Sequence, residues 1–296
     1  ILVFEPAIGP SEIVQANYKS DNSYLVSSLS RRSLYEFNYS KDNIQAIKTD
    51  QLYIGERIRD IKLMENLVPQ FDVLILLAAI VGAPACNENS TLSDAINCRA
   101  PINILNSISA EQKVLLPTTN SGYGIGSKDK LCDENSPLNP VSLYGRQKVE
   151  VEKKYLDSGN AVSFRFATVF GASPRMRMDL LVNDFVYRAL TDKYIVLFEQ
   201  NFRRNFIHVQ DVASVFCFGI ENYEEIRGNA FNVGLSSANL TKYELCEQIK
   251  KIIPDLEILT SQSGSDPDKR DYLVSNEKIE GAGWRPLVTL EMEFVN

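Results

Sequence analysis

The sequence predicts an α/β protein built on a parallel sheet covered by helices, with a smaller lobe in its C-terminal part. Two observations carry this reading. Through residues 1–171, short aliphatic runs alternate with stretches of helical periodicity, the pattern of strands joined by crossover helices. Within that region Asp72-Val73-Leu74-Ile75-Leu76-Leu77 is almost wholly aliphatic, as a strand buried on both faces requires. Over residues 172–296 the alternation loosens and arginine, proline and aromatic residues become more frequent, which suits a separate lobe with some segments returning to the first.

The elements follow in order. Ile1 to Phe4 suits a first parallel strand and Tyr24 to Val26 a second. Asp72 to Leu77 is the next, and Ala95 to Ile108 has helical periodicity. Lys113 to Leu116 reads as a strand that ends at the polar pair Thr118 and Thr119. Pro137 and Pro140 break the chain before a helix from about Ser142 to Asp157, and Ala161 to Phe166 is the following strand. Parallel sheets bind ligands beyond the carboxyl ends of their strands, which singles out Ala78, Ala79, Thr119 and Thr168.

Composition narrows the function. The 296 residues are 44% hydrophobic and 23% charged, ordinary for a globular chain with a sizeable core. A net charge of -7 argues against general binding to nucleic acid or to an anionic membrane. No apolar run approaches membrane-spanning length, and the first residues do not read as a signal peptide. The five cysteines are scattered without a C-x-x-C, and His208 is the only histidine, so no metal site is expected. Reduced thiols in a cytoplasmic protein are the expectation.

One constellation carries chemistry. Thr118-Thr119-Asn120-Ser121-Gly122-Tyr123-Gly124 is followed by Tyr144-Gly145-Arg146-Gln147-Lys148. Tyr-x-x-x-Lys places phenol and ammonium on one helix face. The ammonium stabilises phenolate and draws the tyrosine pKa toward working pH. Phenolate can take the proton of a sugar hydroxyl while hydride leaves the same carbon. Thr119, delivered from a strand end, can hold that oxygen. The spacing by itself also occurs on ordinary solvent-facing helices; the strand end upstream is what makes it specific.

These residues, with Asp72 to Ala79, Asn97, Arg165-Phe166-Ala167-Thr168-Val169-Phe170-Gly171, Arg204-Asn205-Phe206-Ile207-His208-Val209-Gln210-Asp211-Val212-Ala213 and Gly283-Trp284-Arg285-Pro286, resemble the extended short-chain dehydrogenase/reductases of the nucleotide-sugar epimerase/dehydratase group. The resemblance implies a Rossmann-like doubly wound sheet in 1–171 that binds a dinucleotide, and a nucleotide-sugar lobe in 172–296. It assigns Thr119, Tyr144 and Lys148 to catalysis. Cofactor contacts fall on Gly9, Ser27, Leu77, Ala78, Ala79, Asn97, Tyr144, Lys148 and Phe166. Asn120, Ser121, Arg175, Arg177, Asn183, Arg203, Arg204 and Arg270 become the contacts to a nucleotide-diphosphate sugar. His208 reads as structural. A homodimer is implied as well. A narrower similarity, at Val81-Gly82-Ala83-Pro84, Ser173 to Phe185 and Asp266 to Tyr272, is to bacterial GDP-heptose 4-dehydrogenases of capsule biosynthesis.

The opening of the chain departs from that family. A strand, G-x-x-G-x-x-G and helix are expected, so that backbone N–H groups approach a pyrophosphate. Here Ile1-Leu2-Val3-Phe4-Glu5-Pro6-Ala7-Ile8-Gly9-Pro10 keeps only Gly9, and the ribose-binding carboxylate is replaced by Ser27. Arg57 stands where an adenine-side Asp is expected. NADP stays open beside NAD, because Arg31 and Arg32 follow Ser27. After Thr119, the family's dehydratases place Asp-Glu where this chain has Asn120 and Ser121. Neither is a general acid near neutral pH, which leaves C4 oxidation, C4 epimerisation, or a non-catalytic relative with an impaired cofactor site.

Overall fold

The computed structural model describes the backbone of five strands within residues 2–49, and residues 58–126, 130–173, 176–261 and 270–291. In chain order the early elements are β1 (Leu2–Phe4), β2 (Ile13–Tyr18), β3 (Tyr24–Leu29), β4 (Leu34–Ser40), β5 (Asn43–Thr49), α1 (Ile61–Leu67), β6 (Val73–Leu76), α2 (Ala83–Glu88), α3 (Ser90–Asp94), α4 (Ala100–Leu105) and β7 (Lys113–Thr119). Then come β8 (Leu131–Cys132), α5 (Leu143–Asp157), β9 (Val162–Phe166), β10 (Thr168–Phe170), α6 (Leu181–Thr191), β11 (Tyr194–Phe198), β12 (Arg203–His208) and α7 (Val209–Glu221). The last are α8 (Tyr223–Ile226), β13 (Ala230–Val233), β14 (Asn239–Thr241), α9 (Lys242–Ile252), β15 (Glu257–Ser261), β16 (Leu273–Val274) and α10 (Glu277–Gly281). The chain forms two compact units: Ile1–Pro117, Arg146–Ser163 and Tyr223–Asn229 make the first, and Thr118–Gly145, Phe164–Asn222 and Ala230–Asn296 the second.

The main sheet has the order β13-β9-β7-β6-β1-β2-β3-β4-β5. β1 lies parallel to β6, and β6 parallel to β7, as expected for a doubly wound core. The strand expected at Tyr24–Val26 exists as β3, but it runs antiparallel to both β2 and β4. Connection length explains the correction. Segments 19–23, 30–33 and 41–42 are too short for the dozen or more residues of a parallel crossover, whereas antiparallel neighbours need only a tight turn.

All four residues of β6 are buried, which accounts for its unbroken aliphatic run. Around it the first unit packs Leu74, Leu76, Ile104, Leu116, Val151 and Tyr155 into one core. The helix expected over Ala95–Ile108 starts earlier, at Ser90, and opens into a π-turn over Ala95–Arg99 before α4. Pro101 is the cause: it has no N–H to return to Asn97, and Ala100 N–H reaches back five residues to Ala95 O. Asn97 sits inside this widened turn.

The second unit has its own core of Phe170, Phe206, Leu197, Leu245 and Ile249, and its small sheets are β10-β12-β14, β11-β15 and β16-β8. A Thr241/Glu244 capping box starts α9. Gly234 abuts the buried Asn205 side chain, whose Nδ2 donates to Leu235 O at 2.7 Å. A methyl group there has no room without breaking that bond. Gly234→Ala is expected to lower unfolding stability by about 2–3 kcal/mol in a urea titration; an unchanged midpoint contradicts this packing.

Candidate active site

In the second unit, β7 delivers Thr119 to the site. Its extended backbone ends the strand, and its Oγ1 caps the 3-10 turn Asn120–Tyr123 by accepting from Ser121 N–H at 3.1 Å. The same hydroxyl donates to Ser121 Oγ at 2.9 Å, and Arg270 Nη1 also donates to Ser121 Oγ. Thr119, Ser121 and Arg270 are thereby joined. Asn120 is 0% exposed, and neither polar atom of its side chain has a hydrogen-bond partner among the described residues. A buried amide left this way costs about 1–3 kcal/mol per group, so its retention calls for an explanation.

Tyr144 opens α5 beside this turn. A Cβ added to Gly145 would lie 3.0 Å from Pro140 Cβ and 3.4 Å from Ser121 O, so a side chain there would crowd the start of the helix against the turn. Arg177 is held in its charged form chiefly by hydrogen bonds to Asp179, with attraction to Asp179 and Tyr144 adding to them against desolvation.

The expected phosphate-binding arginines differ in their engagements. Arg177 forms a two-point pair with Asp179, Nε to Oδ1 at 2.6 Å and Nη2 to Oδ2 at 2.5 Å. Arg203 holds Asp271 through Nε at 2.9 Å and its backbone N–H at 3.0 Å. Burial pushes the Asp271 carboxyl up, but the Arg203 hydrogen bonds outweigh it and leave the carboxyl below its usual range. Arg204 is buried, donates from Nη1 to Arg203 O at 3.0 Å and lies over the Tyr272 ring. Asn183, in the first turn of α6, accepts from Gly171 N–H and donates to Arg177 O, fixing the backbone that carries Arg177. Arg175 lies outside the described residues. His208 caps α7, its Nδ1 accepting from Gln210 N–H, and meets the Phe170 ring edge-on.

In the first unit, Lys148 lies one turn beyond Tyr144 in α5. It is 7% exposed, and its Nζ donates to Pro117 O at 3.2 Å. Burial pushes its ammonium pKa down to about 8, with Cys86 acting weakly the other way. Leu77, Ala78 and Ala79 follow β6, and Asn97 fixes the residue after them: its Oδ1 accepts from Ile80 N–H at 2.8 Å and its Nδ2 donates to Ile80 O at 2.9 Å. Three residues that the sequence did not flag complete this arrangement. Cys86 Sγ donates to Ile80 O, and Ser93 Oγ and Asn97 Nδ2 both donate to Gln147 Oε1. The position of Gln147, between Tyr144 and Lys148, was the available signal. Phe166 packs with Phe164 and Phe216 in the second unit. Ser27 lies in β3 opposite Gln15 and Glu36, and Gly9 lies outside the described residues.

All five cysteines are free thiols. Among the described residues no group of His, Cys, Asp and Glu could hold a metal ion, and no helix is long and apolar enough to cross a membrane.

The sequence profile of the NAD-dependent epimerase/dehydratase family matches residues 17–234. The chain belongs to that family. Human dTDP-D-glucose 4,6-dehydratase is 26% identical over 60% of this family member and 53% of its own length, so the chain spans about half of that relative. CDP-paratose 2-epimerase of Salmonella typhi is 24% identical over 72% of each chain. The solved UDP-glucuronic acid 4-epimerase of Bacillus cereus, in complex with UDP-glucuronic acid and NAD, shares the fold. Its TM-score is 0.71 at 22% identity, over 82% of this chain and 79% of that one.

The family is NAD-dependent. Of the residues expected at the nicotinamide end of such a cofactor, Ala78 and Ala79 are buried just after β6, and Lys148 is a desolvated cation of the kind that suits a ribose hydroxyl.

Proposed function

We propose that this protein oxidises C4 of a nucleotide-diphosphate sugar with NAD as hydride acceptor and releases the 4-keto sugar. Tyr144 as phenolate takes the C4 hydroxyl proton. Lys148, one turn on in α5, stabilises that phenolate, and the Thr119 hydroxyl orients the substrate oxygen. When bound, NAD supplies the acceptor for the C4 hydride. The observation that carries the reading is the turn after Thr119, where a carboxamide and a hydroxyl, Asn120 and Ser121, are buried beside Arg270. Elimination of water across C5 and C6 needs an acid there, and neither group is one.

Dinucleotide binding is assigned mainly to 1–171 and the sugar nucleotide to 172–296. Arg203, Arg204 and Arg270 suit the diphosphate, since arginine forks pair with its oxygens. The sequence similarity at Val81–Pro84 and Asp266–Tyr272 supports GDP-heptose as substrate, in capsule polysaccharide synthesis by a cytoplasmic homodimer.

The test is purified protein with GDP-heptose and NAD or NADP, followed by absorbance at the reduced-nicotinamide band and by NMR of the sugar. Reduced dinucleotide matched by keto sugar is the expected result. An epimer without net reduction reassigns the chain to C4 epimerisation. No dinucleotide bound, with sugar nucleotide still bound, overturns catalysis altogether.

A further inference from the structure

One hydrogen-bonded chain in the first unit is built around Gln147, a residue that nothing in the catalytic reading uses. Gln147 is 4% exposed and lies in α5 three residues after Tyr144 and directly before Lys148. Its Oε1 accepts from Ser93 Oγ at 2.7 Å and from Asn97 Nδ2 at 3.0 Å. Asn97 spends its remaining capacity on one backbone unit, accepting from Ile80 N–H at 2.8 Å and donating to Ile80 O at 2.9 Å. A carboxamide has two N–H donors, and in Asn97 the two best acceptors are Ile80 O and Gln147 Oε1. The π-turn forced by Pro101 is where Asn97 sits. Cys86 Sγ donates to the same Ile80 oxygen, closing the arrangement.

We propose that Gln147 is a positioning residue, whose carboxamide oxygen ties the helix bearing Tyr144 and Lys148, through Asn97, to the backbone of Leu77–Ile80. The bond fixes the height of α5 relative to the end of β6. Lys148 can then be desolvated without losing its alignment. Glutamine has the reach for this, whereas a short residue at the same place would leave Asn97 without its acceptor. Gln147 Nε2 has no partner among the described residues, so the oxygen alone makes the tie.

The inference rests on the proposed function only for its kinetic consequence, and the experiment separates the two. Gln147→Met keeps the length and removes the acceptor; Gln147→Glu keeps an acceptor oxygen. Hydrogen exchange of the peptide spanning 77–81 is read first, because it needs no turnover. Exchange at Ile80 is expected to quicken about tenfold in Gln147→Met, the scale of one lost hydrogen bond, and to stay near wild type in Gln147→Glu. The sugar-nucleotide kcat is then expected to fall about tenfold in Gln147→Met with KM changed less than about twofold, because alignment rather than binding is lost. Unchanged exchange in Gln147→Met overturns the tie. Quickened exchange with wild-type kcat overturns the positioning role. A wild-type protein that turns over no sugar nucleotide refutes the proposed function and leaves the exchange result standing.

Discussion

Tyr144→Phe is expected to lose about 10²–10⁴-fold in kcat while keeping its thermal midpoint. The substitution removes one oxygen from a half-buried ring at the start of α5 and nothing else. The polar groups of the Thr119 turn do not supply another base. Asn120 and Ser121 do not ionise near neutral pH. Arg177 and Arg270 stay protonated. The Tyr123 phenol is pushed up to about 12 by burial, which the nearby Arg165 only partly offsets. Single-turnover measurement of reduced dinucleotide is the check. More than a tenth of wild-type activity in this variant would rule out Tyr144 as base.

Lys148→Met is expected to separate activity from stability. Lys148 is buried, and burial holds its ammonium pKa near 8, below the 10.5 of an exposed lysine. Below pH about 8 both folded and unfolded chains carry this proton, and the folded protein bears the whole penalty of a buried charge. Between about 8 and 10.5 only the unfolded chain binds it, so this group's contribution makes stability rise with pH across that window. Methionine removes the charge, and the window should flatten. At pH 7 the variant should gain up to about 3 kcal/mol, reduced by the lost bond to Pro117 O. Its activity should move the other way. On the proposed mechanism, loss of this cation raises the Tyr144 phenol, lowering kcat at pH 7 by about 10–10³-fold and shifting the acidic limb of the profile upward. In wild type, kcat should also decline above pH about 8 as Lys148 loses its proton. A variant no more stable than wild type at pH 7, or one with an unshifted acidic limb, contradicts the desolvated-cation account.

Much of this was legible in the residues because the signals are local. The aliphatic run of β6, the polar end of β7 and the helical spacing of Tyr144 and Lys148 each lie within a few residues. What escaped the sequence depends on partners far apart. Gln147 reads as one more polar residue on a helix until Asn97 and Ser93 are brought to it over separations of 50 and 54 residues. The carboxylates that occupy Arg177 and Arg203 were equally invisible as partners, although Asp179 stands two residues from the first. The direction of β3 was misjudged because an apolar strand looks the same in either orientation; only the brevity of its connections decides it.

The order in which a ribosome delivers the chain has a bearing on how the first unit matures. Its last piece, Tyr223–Asn229, emerges after the whole of the second unit's middle segment, Phe164–Asn222. That late piece closes contacts made much earlier: the Tyr223 hydroxyl accepts from Val114 N–H at 2.9 Å and donates to Asn160 O at 2.7 Å, and Gly228 N–H reaches Ala161 O at 2.8 Å. Unlike a chain whose domains fold one after another as they appear, this one cannot finish its N-terminal unit until residue 229 is free. Nascent chains arrested before that point keep β7 and β9 without their final hydrogen-bonding partners, and are the species for which a chaperone would have work to do.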